Sequence, residues 1–163
     1  MKDIRPTSGK VLAALFSILG GKIEGAKFLD LFAGTGHVGL EALRRGAELC
    51  VFVESVRARA DDIRRLAGDN IVLGLEVRRA VSWLVKREIK FDVIFADPPY
   101  SSGWCDVIPE LKDLSRLFSD GCVMIMEHSI REPLTLKDNI NNLEIISHRD
   151  YGETCLTFLQ KMT

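Results

Sequence analysis

Apolar residues recur at helical spacing over residues 8–19, where Val11, Leu12, Leu15, Phe16, Ile18 and Leu19 share a face and Gly20-Gly21 closes the run. The pattern then changes period. Residues 27–32 read as a buried strand that runs into the glycine-rich turn Ala33-Gly34-Thr35-Gly36. Helical spacing returns over residues 38–45 and stops at Gly46. Residues 49–53 predict a second buried strand ending in an acid, Glu54, and residues 56–67 a polar, arginine-rich helix ending at Gly68. A weaker strand over 71–77 is interrupted by Gly74, and a short helix follows over 81–86. Residues 91–96 predict a strongly apolar strand stopped by Pro98-Pro99. After it come a helix near 107–118, a strand over 122–126, and closing strands over 143–147 and 155–159, separated by Asp150-Tyr151-Gly152-Glu153.

Strands alternating with helices predict an α/β fold with a mainly parallel sheet and helices on both faces, because parallel neighbours need crossover connections. The closing strand-turn-strand predicts an antiparallel hairpin at the end of that sheet. The chain has 163 residues, of which 47% are hydrophobic, the size of one domain, with 1–26 as an N-terminal helical segment and 27–163 as the sheet core. Residues 1–10 are polar and basic, nothing after them resembles a signal peptide, and the apolar runs are too short to span a membrane. A cytoplasmic protein with no membrane partner is the expectation.

Cys50, Cys105, Cys122 and Cys155 are scattered, and no histidine stands at metal-ligand spacing, so no metal site is predicted and the cysteines read as small core residues. His37, His128 and His148 are likewise isolated and read as structural or solvent-facing. The net charge of −1 hides an asymmetry: residues 1–90 carry 16 Lys/Arg against 11 Asp/Glu, and residues 91–163 carry 6 against 12. The paired cations Arg44-Arg45, Arg64-Arg65 and Arg78-Arg79 offer candidate phosphate contacts along one side, with a solvated helix face as the alternative.

Gly34-x-Gly36-x-x-Gly39 lies between a strand and a helix, the context in which glycines let a ligand approach the backbone. Alone the spacing is ambiguous: it fits a dinucleotide's pyrophosphate at the helix N-terminus and also nucleoside-binding turns that hold no phosphate. Glu54, twenty residues after Gly34, stands where a carboxylate can accept from both ribose hydroxyls. Asp30, just ahead of the turn, would repel a pyrophosphate but suits a ligand carrying an ammonium and a sulfonium. The expected cofactor is therefore S-adenosylmethionine, ahead of a nicotinamide.

Asp97-Pro98-Pro99-Tyr100 follows directly on a predicted strand, at the carboxyl edge where ligands of open α/β sheets bind. A base amino group is a poor nucleophile because its lone pair is delocalised into the ring. It needs acceptors that orient its hydrogens. Asp97 supplies one, and the carbonyl of Pro98, held in a turn rigidified by two prolines, supplies a second. Tyr100 would stack on a base extruded from its neighbours. Trp104, in the loop that follows, is a candidate second stacking face or a core residue.

These segments resemble the bacterial small-subunit ribosomal RNA guanine-N2 methyltransferases (RsmD-like), within the class I methyltransferases. The resemblance rests on Arg5-Pro6-Thr7-Ser8, residues 28–36, residues 39–47, Phe52-Val53-Glu54, residues 91–100 and Tyr151-Gly152-Glu153-Thr154, in that order along the chain. It implies a single Rossmann-like domain with a seven-stranded sheet whose final strand is antiparallel. It also implies S-adenosylmethionine held by Asp30, Phe32, Ala33, Gly34, Thr35, Gly36, Glu54 and Ser55, with Arg79, Ala80 and Asp97 completing the set. The target guanine would be held by Asp97, Pro98, Pro99 and Tyr100, with Arg5 and Thr7 near the RNA. The implied partner is ribosomal RNA, free or in an assembled small subunit, and the protein is expected to act as a monomer.

The chain departs from the family's pattern in three places. Only Met1 to Ile4 precede Arg5, where the family carries a longer basic β-hairpin. Thr7-Ser8-Gly9-Lys10 replaces the usual Asp-Arg pair after the threonine. Arg79 stands where the family has an aspartate that accepts from the adenine amino group. Three other readings stay open: a methyltransferase acting on another nucleic-acid amino group, such as adenine N6 of DNA; a cofactor-binding ribosome-assembly module with little or no activity; and, more remotely, a nicotinamide oxidoreductase.

Overall fold

The computed structural model describes residues 8–163. Strand β1 (Lys27–Asp30) pairs in parallel with β2 (Leu49–Val53) on one side and β4 (Phe91–Ala96) on the other; β2 continues to β3 (Ile71–Leu73) and β4 to β5 (Phe118–Ser129). Beyond β5 lies β7 (Thr154–Lys161), with β6 (Leu143–Tyr151) at the edge. Both pairings of β7 are antiparallel, so it alone runs against the other six strands. The order β3-β2-β1-β4-β5-β7-β6 reverses direction between β1 and β4. That reversal opens a crevice outside the carboxyl ends of these two strands.

Two apolar layers sandwich the sheet, and strand alternation sorts residues between them. Helices α1 (Gly9–Leu19), α2 (His37–Arg44) and α3 (Arg57–Leu66) cover one face, where Phe16, Val38 and Ile63 meet Phe28, Phe52 and Phe95. Helix α4 (Val77–Lys86) covers the other, packing Val81 and Leu84 with Leu29, Val51 and Ile94. Ser8 caps α1, its side chain accepting from the Val11 amide. All four cysteines are buried and free.

The predicted helix over 107–118 is not formed. A single turn, α5 (Trp104–Val107), gives way to two short 3₁₀ segments, Ile108–Glu110 and Leu114–Leu117. Pro109 removes a donor at the start of the first, Leu111 is extended, and Asp113 takes a left-handed φ of 66°. The apolar positions Ile108, Leu111, Leu114 and Leu117 are all buried and stand three apart, the period of a 3₁₀ rather than an α-helix. The strand expected over 71–77 ends at Leu73, and α4 begins at Val77 instead of residue 81, with Glu76 as its cap accepting from the Arg78 amide. The hairpin strands extend to Tyr151 and Thr154, leaving only Gly152-Glu153 between them.

Candidate functional site

Asp30 ends β1 and its side chain turns onto the α1–α2 face, where it is 1% exposed. One carboxylate oxygen, Oδ2, accepts from the Gly39 amide in the first turn of α2 at 3.2 Å; the other, Oδ1, is buried with no hydrogen-bond partner among the described residues. Burial, opposed by the Gly39 bond and helped by the nearby carboxylates of Glu54 and Glu127, pushes the Asp30 carboxyl up to about 7. The chain's own acid thus takes the helix N-terminus that a dinucleotide phosphate would need. The α2 N-terminus can come this close to β1 because position 39 is glycine: a Cβ there would stand 2.4 Å from the Phe52 ring and 2.7 Å from the Cys50 sulfur.

Glu54 follows β2 and is 7% exposed, so it is no solvent-facing strand-end acid. Its Oε1 accepts from the Gly34 amide at 2.9 Å and its Oε2 from the Val56 amide at 2.8 Å. The carboxylate ties the glycine turn to the turn after β2 and keeps lone pairs for a ligand's hydroxyls. Gly34 and Gly36 both have left-handed φ, 60° and 83°, so the turn needs glycine at both.

Across the crevice, Asp97 follows β4. Burial, with the carboxylates of Glu127 and Asp30 nearby, raises its carboxyl well above the usual range, and no donor among the described residues lowers it. Pro98 is buried, whereas Pro99 and Tyr100 are exposed, Tyr100 to 60%. Two bonds fix the following loop: Ser102 Oγ donates to the Pro99 carbonyl at 2.5 Å, and the Ser101 amide donates to Glu132 Oε1 at 2.7 Å. Trp104 sits edge-on to Phe32 at 5.5 Å between centroids, with the Arg78 guanidinium 4.8 Å from its ring centre. It joins the wall that carries Phe32.

One cleft of about 1120 Å³ collects these groups. Asp30, Phe32, Ala33, Gly34, Thr35, Glu54, Ser55, Asp97, Pro98, Pro99 and Tyr100 all line it, so the two loops singled out in the sequence face each other. Its volume exceeds the roughly 300–1,000 Å³ of a small-ligand pocket, leaving room for a nucleoside with a base beside it. Gly36 stays behind the wall, where a Cβ would stand 2.9 Å from the Ile63 side chain. Arg79 and Ala80 do not line the cleft either: because α4 starts a turn earlier than its apolar spacing suggested, Arg79 points to solvent and Ala80 into the core. Arg5 and Thr7 lie outside the described residues.

Sequence reasoning missed several cleft residues. Leu75, Glu76 and Val77 form the wall where Arg79 was expected, and Glu76 supplies a carboxylate there. Glu127 and His128, at the end of β5, also line it. The His128 ring is engaged structurally, with Nε2 2.7 Å from Thr157 Oγ1 and Nδ1 2.9 Å from the Ser129 carbonyl oxygen. Glu127 carried a legible signal, since it follows an apolar run as Glu54 and Asp97 do.

Comparison with known proteins identifies the family. Residues 1–160 match the family described as Conserved hypothetical protein 95. The chain is 31% identical over 163 residues to YlbH of Bacillus subtilis, covering 96% of this chain and 88% of that one. It is also 31% identical over 136 residues to ribosomal RNA small subunit methyltransferase D of Escherichia coli, covering 80% and 67% respectively. Among solved structures, a Thermus thermophilus 16S rRNA N2 methyltransferase in complex with AdoMet and guanosine shares the fold at a TM-score of 0.65 and 23% identity, over 98% of this chain and 44% of that one. With its glycine turn and its Asp-Pro-Pro-Tyr turn on one crevice, the chain belongs to the Conserved hypothetical protein 95 family, that of the RsmD-like ribosomal RNA methyltransferases.

Proposed function

We propose that the protein transfers a methyl group from S-adenosylmethionine to the exocyclic N2 amino group of a guanine in small-subunit ribosomal RNA. The observation that carries this reading is the unpaired, buried Asp30 oxygen in a cleft whose opposite rim is Asp97-Pro98-Pro99-Tyr100. A buried acceptor without a donor suits a cationic ligand. When bound, S-adenosylmethionine supplies an electrophilic methyl group on a sulfonium. Asp30 faces the cationic part of that ligand, Glu54 accepts from its ribose hydroxyls, and Leu75, Glu76 and Val77 wall its adenine. Asp97 and the Pro98 carbonyl accept the two hydrogens of the incoming amino group and turn its lone pair toward the methyl. The exposed Tyr100 ring offers the base a stacking face. The names of the E. coli relative and the Thermus neighbour support ribosomal RNA as substrate and AdoMet as cofactor. No helix among the described residues is long and apolar enough to cross a membrane, and the proposed place of action is the cytoplasm, on RNA within the small subunit.

The test is incubation of the full chain with labelled S-adenosylmethionine and separate pools of ribosomal RNA, small ribosomal subunits and DNA, followed by nucleoside analysis. N2-methylguanosine from the ribosomal pools is the expected product. Label confined to DNA would refute the substrate. Binding of the cofactor with no transfer to any pool would favour a binding module over an enzyme.

A further inference from the structure

The apolar runs of β1, β2, β4 and β5 each end at an acid: Asp30, Glu54, Asp97 and Glu127. Three of the four acids have roles in the reading above; Glu127 has none. Register fixes where it stands. Ala96 is opposite Met126, so Asp97 and Glu127 are the next positions on adjacent parallel strands. Phe95 and Ile125, two residues earlier, both face the α1–α2 layer, and alternation directs Asp97 and Glu127 toward that same side. The two carboxylates are close enough that Glu127 helps to raise the Asp97 carboxyl. Glu127 is 8% exposed, lines the cleft, and lies on the far side of Asp97 from the wall of Glu54 and Glu76. That is the side from which an acceptor base must come.

A cationic cofactor bound beside them favours the ionised form of both acids, and two neighbouring ionised carboxylates present acceptors only and select an edge with neighbouring donors. The base amino groups differ on this point. Adenine N6 lies beside N1 and cytosine N4 beside N3, both ring acceptors that a carboxylate repels. Guanine N2 lies beside N1–H, a donor. The unpartnered Asp30 oxygen in the same cleft is an independent sign that the acids are arranged for a ligand and not for one another. We propose that Glu127 determines base specificity: its carboxylate accepts the guanine N1–H while Asp97 accepts a hydrogen of the adjacent N2 amino group. A carboxylate has lone pairs enough to do this alongside its other contacts. The inference rests on the methyltransferase reading and assigns it a residue that reads the base.

The experiment uses the full chain and labelled S-adenosylmethionine. Once the methylated nucleotide is mapped, two short RNAs are compared, carrying at that position either guanine or 2-aminopurine, which keeps the 2-amino group and lacks the N1 hydrogen. Wild type should favour guanine by about 100-fold in kcat/KM. Glu127→Gln, whose amide can donate to an unprotonated N1, should lose about 10- to 100-fold on guanine and narrow the preference to below about tenfold. Its Kd for S-adenosylmethionine should stay within about twofold of wild type, which separates base reading from a general structural defect. Equal use of both RNAs by wild type would overturn the proposal without a variant being needed, and so would an unchanged preference in a folded Glu127→Gln protein. Those results leave the methyltransferase reading standing, whereas no transfer to RNA, or transfer only to adenine or cytosine, removes that reading itself.

Discussion

Asp30 concentrates the chemistry of the site in one side chain. Its folded carboxyl titrates at about 7 against an ordinary 3.8, so between these values the folded chain holds a proton that the unfolded chain has released. Stability of the ligand-free protein should therefore fall as pH rises through this window, by up to about 4 kcal/mol. Glu54, Asp97 and Glu127 face the same cleft, and the Asp97 carboxyl is raised too, which adds in the same direction. A cationic ligand favours the ionised acid, so S-adenosylmethionine affinity should drop as pH falls below about 7, by at most about tenfold per unit for one proton. Thermal melting and calorimetry across this range measure both slopes, and Asp30→Asn should flatten them. The other acids separate by role. Asp97→Ala should abolish transfer with cofactor affinity largely intact. Glu54→Ala should weaken cofactor binding by about 1.5–3 kcal/mol, since it loses a charged acceptor; an unchanged dissociation constant would remove Glu54 from the site.

Among the elements, the contact of α2 with β1 and β2 is the least forgiving. Gly39→Ala would press a methyl into Phe52 and Cys50 and move the amide that Asp30 accepts from, so it should cost about 1–3 kcal/mol in a melting experiment and weaken cofactor binding as well. That closeness was legible in sequence only as a glycine spacing. The strands of the sheet centre were legible almost to the residue, 49–53 and 91–96 among them, because burial on both faces leaves an uninterrupted apolar run. The stretch from Trp104 to Leu117 was not, since a three-residue spacing of leucines over a few turns imitates an α-helical face until Pro109 and Asp113 are placed. The two turns that line the cleft could be found because proline fixes the backbone and glycine takes left-handed φ at no steric cost, so each marks a turn in the sequence. Glu76 stayed hidden because a carboxylate just ahead of a helix looks like surface, whereas Glu127 closes an apolar run as Glu54 and Asp97 do but has no glycine or proline turn after it to mark the place. Arg79 misled because the start of α4 decides which residue of that segment meets the cleft, and helix starts are weakly encoded when no cap is recognised.

Over the whole molecule, charge divides between the helix surfaces and the carboxyl ends of the strands. Four arginines of the basic half, Arg44, Arg45, Arg64 and Arg65, pair with Glu41, Asp61 and Asp62 on their own helices at 2.6–2.9 Å, so these four stand as ion pairs on the surfaces of α2 and α3. Asp30, Glu54, Asp97 and Glu127, by contrast, gather at the carboxyl ends of four strands and line the cleft. On the proposed reading, that mouth would act as an electrostatic turnstile: a neutral heterocycle swung out of its strand would pass, while the phosphodiester on either side of it would be held back at the threshold. Guanosine should accordingly compete with RNA substrate better than guanosine 5′-monophosphate does, and added salt should narrow the gap between the two inhibition constants. Equal inhibition by the two at low ionic strength would mean that the mouth does not screen its guests by charge.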